Sequence, residues 1–367
     1  MSATRIATFS LISLFALRFC ALAQGPATPP PASTQPADQV NPWVAAAPAP
    51  GPELCQCESA ECTSLSQISS VALHPFASEH FVVLHAAQDT WGRRVAGLLE
   101  KANTEFYASI RKAGYDAQPL PNRLIWVCFR GMDDFEQYSR QNDQIDMSWT
   151  DGYYSARTNR VALMLPAGAA VRQGDGVEVA AAARVAQFGP QPDTRPAGED
   201  RLDQRWITHE LAHQLSFNYG LQKRGVMYPL WLSEGLATNF EADNQGRFGF
   251  GRDNTPRRRS LLSAYTHGRL TPLRRFVAMD RLESSGEAQA RQDYAECWGL
   301  YRFLSQQRPD QLRQYLLTLK ALDSGNREGA VLRREFVEAF GPIEQMQSDW
   351  EDWLDGLVVA AAKNAKP

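Results

Sequence analysis

His209-Glu210-Leu211-Ala212-His213 is an H-E-x-x-H motif. Leu202, Trp206, Ile207, Leu211 and Leu215 recur at helical spacing through it, so the motif is expected on an amphipathic helix. Residues four apart on a helix share a face. Both imidazoles can then reach one cation, and zinc is the ion best suited to such nitrogen ligands. Glu210 projects beside them without being a ligand. Its carboxylate can take a proton from a metal-activated water and return it to a leaving group. The bland alternative is a pair of structural or surface histidines on a helix.

A hydrolytic zinc site needs a third protein ligand and an open position. Glu234 lies 21 positions after His213, within Trp231-Leu232-Ser233-Glu234-Gly235-Leu236-Ala237 at the start of the next expected helix. Helix, crossing loop and helix can return Glu234 to the same metal; taken alone, it would be a solvated helix glutamate. Metzincins place a Gly and a third His soon after the motif. Ser216 and Tyr219 hold those positions here, which excludes that class.

The segment from His209 to Glu241 resembles the gluzincin metallopeptidases. H-E-L-A-H-Q followed by W-L-S-E-G-L-A is similar to the paired H-E-x-x-H-Q and W-L-N-E-G-F-A motifs of the M1 aminopeptidases. The likeness is strong over those two motifs and weak over the helices beyond. No G-A-M-E-N-type motif precedes His209, so recognition of an amino terminus is not implied. The whole layout resembles an exported bacterial peptidase-MA-like family typed as a domain of unknown function.

The resemblance implies an α+β, zincin-like fold: a mixed sheet, the active-site helix, then a helical subdomain. It implies Zn2+ on His209, His213 and Glu234, with Glu210 as general base and a peptide or protein as substrate. Glu241, seven residues after Glu234 and two helical turns along the same face, matches an acid that supports a zinc-bound histidine; a solvated glutamate is an equal account. Tyr294 resembles the tyrosine that donates to a developing oxyanion; a core tyrosine is an equal account, and Tyr265 and His267 are weaker candidates. An edge strand of a zincin sheet aligns extended substrate by main-chain pairing; Val161 to Leu165 is a candidate for it, with a plain structural strand the favoured account. From another class, the alternative is a non-catalytic zincin-fold protein with a binding or structural role in the cell envelope, since no specificity motif is recognisable.

The elements that must position these residues follow from hydrophobic period. Phe81 to Leu84 and Leu124 to Phe129 read as buried strands, and Asp89 to Lys112 as a helix stopped at Gly114. Tyr153 to Ser155 and Arg160 to Leu165 flank a polar turn and read as a hairpin. Residues 133–140 read as a short helix. Helices are expected at 201–218, 229–243, 256–267, 287–306, 309–322, 329–340 and 343–360. The stretch 166–200 reads as a long loop, with 177–188 as a candidate helix. Gly246-x-x-Gly249-x-Gly251 follows a helix, lacks the context of a nucleotide fingerprint, and reads as a flexible loop near the cleft. Arg257-Arg258-Arg259 reads as a solvated helix face.

Composition sets the outer bounds. The 367 residues are 44% apolar and 22% charged, normal for a globular chain. With 38 basic and 41 acidic residues the net charge is −3, which offers no basic excess for nucleic acid. Residues 1–23 read as a signal peptide, with Arg5, an apolar run and the small-x-small pattern Ala21-Leu22-Ala23. Residues 24–65 read as a Pro/Ala-rich linker carrying Cys55, Cys57 and Cys62, two of which would pair in an oxidising compartment. An α/β N-terminal subdomain is expected at 66–200 and a helical zinc-binding subdomain at 201–367. A secreted, periplasmic or cell-envelope location follows, with no membrane span after signal cleavage; oligomeric state is not legible. Without residues 1–65 the net charge is −1, so the acidity belongs mainly to the linker.

Overall fold

The computed structural model describes residues 54–165 except 149, 204–282 except 244 and 245, and 287–364. The signal peptide, most of the linker and the 166–200 loop with its candidate helix lie outside the described residues.

The architecture is α+β. Strands β1 (His74–Ala77), β2 (Phe81–His85), β3 (Leu124–Phe129), β4 (Gly152–Ser155) and β5 (Arg160–Met164) form one mixed sheet in the order β1-β2-β3-β5-β4. The three central strands, β2, β3 and β5, are parallel and the two outer ones antiparallel to their neighbours. β2 and β3 are buried throughout because both faces of the sheet are covered. Alternate residues divide between two cores. Phe81, Val83, Trp126, Cys128 and Val161 pack toward α2 (Asp89–Lys112) and α4 (Gln204–Asn218). Val82, Leu84, Val127, Phe129 and Ala162 pack toward α1 (Gln56–Ser66) and α3 (Met132–Tyr138). A π-helical turn, Ser139–Asp143, extends α3.

Helix α1 places folded structure inside the segment expected to be linker. Its cap is a reciprocal pair: Cys55 N–H donates to the Glu58 carboxylate at 2.9 Å, and Cys55 Sγ accepts from Glu58 N–H at 3.4 Å. Cys62 and Leu65 are buried beneath the sheet. Arg123 and Arg160, at the ends of β3 and β5, pair with Glu58 and Glu61. Cys62, Cys128 and Cys297 are free thiols, so Cys62 is not stapled to Cys55.

The second half is helical: α5 (Leu230–Phe240), α6 (Thr255–Thr266), α7 (Leu273–Phe276), α8 (Glu287–Gln307), α9 (Pro309–Lys320), α10 (Gly329–Phe340) and α11 (Ile343–Asn364). Among the described residues no helix is long and apolar enough to cross a membrane. α8 is the hub, packing against α5, α6, α9 and α11. The glycine-rich segment after α5 is pinned rather than loose. Phe248 and Phe250 fill the core beside Phe106 and Phe240, and Arg302 donates to the Gly251 and Arg252 carbonyls at 3.0 and 2.8 Å.

Glu296 on α8 is 2% exposed and accepts from Thr271 N–H at 3.1 Å and from Gln292 Nε2 at 2.7 Å. Burial pushes its carboxyl up to about 7, against those hydrogen bonds. The folded state therefore holds this proton more tightly than the unfolded chain does. Its favourable contribution is complete below the unfolded value and is lost as pH rises through the folded one. Urea unfolding at pH 5 and pH 8 is expected to show a loss of about 1–3 kcal/mol with rising pH. Glu296→Gln should flatten that slope; an equal slope in the variant would assign it to other groups.

Candidate metal centre

Helix α4 is buried continuously from Arg205 to Ser216. Gln214, one residue past the motif, ties it to the sheet. Its Oε1 accepts from Trp126 Nε1 at 2.8 Å, and its Nε2 donates to the Asn159 carbonyl at 2.9 Å. The two positions that would carry a metzincin's Gly and His have structural tasks: Ser216 bonds to Gln222, and Tyr219 donates to Asn103 at 2.7 Å. Pro229 stands at the start of α5, whose Leu230 N–H reaches the Met279 carbonyl at 2.8 Å. α5 lies against both α4 and α8. That approach depends on Gly235, where a Cβ would stand 2.7 Å from the Cys297 carbonyl oxygen and 2.6 Å from Tyr301 Cβ.

This packing brings His209, His213 and Glu234 together, with one ligand atom of each within 4.8 Å of the others. Glu234 Oε2 is 3.2 Å from His209 Nε2 and 3.5 Å from His213 Nε2, and the two Nε2 atoms are 3.3 Å apart. His209 Nδ1 faces Glu241 Oε1 at 2.9 Å. A proton on Nδ1 leaves the Nε2 lone pair aimed inward. Three electron-rich atoms then converge with Glu234 Oε2 lacking any hydrogen-bond partner. This donor set could hold a metal ion. Burial would lower the His209 pKa, yet the Glu234 and Glu241 carboxylates hold it up at about 10. Burial would raise Glu234, yet His213 and His209 keep it below the usual carboxylate range.

Glu210 is buried beside this group. Burial raises its pKa, with Glu234 adding to the shift, while the two histidines and a hydrogen bond from the Tyr154 main chain oppose it. Tyr294, on α8, sets its ring edge-to-face against His209 at 5.9 Å between centroids. Tyr265 and His267 lie elsewhere: Tyr265 donates to Asp355 at 2.7 Å, and His267 caps the exposed end of α6. Val161 to Leu165 is the plain structural strand, not the substrate-aligning edge. β5, Val161 to Leu165 in the sequence reading, lies between β3 and β4; β4 is the edge and supplies Tyr154.

Glu241 is not on the face of α5. The helix ends at Phe240, and Glu241 turns out of it with ψ 142°. Its carboxylate accepts from four groups. Oε1 takes His209 Nδ1 and Arg257 Nη2 at 2.8 Å; Oε2 takes Asn254 Nδ2 at 2.7 Å and Arg257 Nε at 3.3 Å. Burial would raise this carboxyl, yet Arg257 and His209 hold it down to about 2. Arg257 is therefore buried at 6% exposure rather than solvated with its neighbours in the basic run. Nothing in the sequence marks it out. Asn254 does carry a signal, an N-cap residue two positions before Pro256, and it caps α6 through Arg257 N–H.

Residues 205–322, from α4 to just past α9, match the profile of a family described as a protein of unknown function (DUF1570). The match contains His209, Glu210, His213, Glu234, Glu241, Asn254, Arg257 and Tyr294, and covers less than half of the chain. No curated protein matches the chain.

Gly235→Ala must push α5 from α8. Overpacking of this kind costs about 1–3 kcal/mol, to be read from the urea midpoint. Because Glu234 is the adjacent residue, metal affinity in a chelator competition should fall as well. A variant as stable as the wild type would show that the helices are not held at contact.

Proposed function

We propose that the chain is an exported zinc-dependent metallopeptidase of gluzincin type. The observation that supports it is the convergence of His209, His213 and Glu234 with Glu210 beside them and free of the ligand set. Two imidazoles and one carboxylate are a donor set characteristic of catalytic zinc, with room for a further ligand. Zinc held there would supply Lewis-acid chemistry, polarising a carbonyl and making water acidic near neutral pH.

The remaining steps belong to the chain's own residues. Glu210 takes the water proton on its carboxylate and passes it to the leaving amine. The raised pKa that burial gives it suits both halves of that transfer. The Tyr294 hydroxyl donates to the oxygen on which negative charge develops. The outer edge of β4 pairs with an extended peptide main chain, since β4 borders the sheet beside Glu210. That last feature favours a peptide over a compact amide or ester. The apolar amino-terminal run ending at Ala21-Leu22-Ala23 supports export to a periplasmic, envelope or extracellular location.

A broad peptide library digested with the wild type and with Glu210→Gln tests the mechanism. The variant is expected to retain zinc and to lose activity by about 10²–10⁴-fold, the range of a general base. Unchanged turnover in the variant would overturn the mechanism. The absence of any chelator-sensitive cleavage by the wild type would instead favour a binding or structural role.

A further inference from the structure

We infer that Arg257 is a positioning residue of the metal centre, setting the place of His209 through Glu241. The inference rests on the metal-binding reading of His209, His213 and Glu234. Arg257 comes from the first turn of α6, across the 243–253 segment from the ligand-bearing helix α5. Its guanidinium meets Glu241 as a fork on a fork, Nη2 to Oε1 at 2.8 Å and Nε to Oε2 at 3.3 Å. Planar, bidentate pairing fixes the orientation of a carboxylate as a single lysine charge cannot. Asn254 Nδ2 takes a further site on Oε2 at 2.7 Å. Only the Oε1 position facing His209 Nδ1 is left for the imidazole, at 2.9 Å. The carboxylate therefore has one orientation, and that orientation selects the tautomer whose Nε2 points at His213 and Glu234.

Tyr294 contacts both ends of this arrangement. Its ring centroid lies 5.0 Å from the Arg257 guanidinium carbon, and the same ring meets His209 edge-on. Arg257 has no exposed face from which to exchange its partner for water, being 6% exposed against a Glu241 side chain that is fully buried. A guanidinium over an aromatic face in such a setting is held by the ring quadrupole as well as by the carboxylate. Glu241 also leaves α5 at its last turn, so no helical geometry orients it; the Arg257 and Asn254 contacts do.

The test is a set of zinc affinities by competition with a chromophoric chelator, with melting of the metal-free protein measured alongside. The proteins are the wild type, Arg257→Met, Arg257→Lys, Glu241→Gln and the double variant Arg257→Met/Glu241→Gln. Arg257→Met is expected to weaken zinc binding by about 10–100-fold, the size of effect typical of outer partners of metal ligands. Arg257→Lys, a charge without the fork, should fall between it and the wild type. The double variant should bind no more weakly than the weaker single one, because Arg257 acts through Glu241. Full multiplication of the two losses would show a general structural role and overturn the inference. So would a zinc affinity of Arg257→Met within twofold of the wild type. If Arg257→Met does not fold, Arg257→Lys carries the same comparison, and wild-type affinity in that variant overturns it. A wild type that binds no zinc removes the metal-centre reading and this inference with it.

Discussion

Three carboxylates, Glu210, Glu234 and Glu241, are packed around two imidazoles with one guanidinium, Arg257, among them. With neutral histidines the cluster holds two negative charges in excess. Removing such charges from water costs several kcal/mol per ion unless they are matched. A divalent cation between His209, His213 and Glu234 brings the sum to zero. Without it the compensation falls on protons, and the high pKa of His209 is that demand expressed in one residue. The burial of this cluster is the constraint that the surrounding helices serve.

The fold meets it by fixing one helix and bringing others to it. The two-sided sheet gives α4 a rigid floor, to which Gln214 bonds through a strand indole and a loop carbonyl. α5 is set against α8 at Gly235, which delivers Glu234 from one helix and Tyr294 from the other. The chain leaves α5 at Glu241 and returns as α6, so Arg257 reaches the same carboxylate from a separate element. Each group that touches the histidines thus has its own supporting contact. This is the arrangement by which distances inside a small polar site are held in a protein of ordinary flexibility.

The features legible in the sequence were those set by local period and spacing. H-E-x-x-H lies on a helix because apolar residues continue through it, and the two helices that carry His209, His213 and Glu234 were expected within a few residues of their observed bounds. The hairpin of β4 and β5 was also readable from its polar turn. Its place in the sheet was not, because which strand becomes an edge is decided by pairing with β3, distant in sequence. Helix α1 escaped notice because cysteine is an uncommon cap, and β1 because Pro75 interrupts it. Arg257 was hidden by composition: one of three consecutive arginines is drawn inward by a carboxylate 16 residues away, and a charge run carries no mark of that.

The proposed centre would hold a single zinc ion on nitrogen and oxygen donors. Its most direct test is metal analysis of the reconstituted protein joined to X-ray absorption at the zinc edge. One equivalent of zinc is expected, ligated by imidazole nitrogen and carboxylate oxygen at about 2.0–2.2 Å with no sulfur in the shell. Less than about half an equivalent after reconstitution, or a sulfur shell near ~2.3 Å, would contradict a centre built from His209, His213 and Glu234.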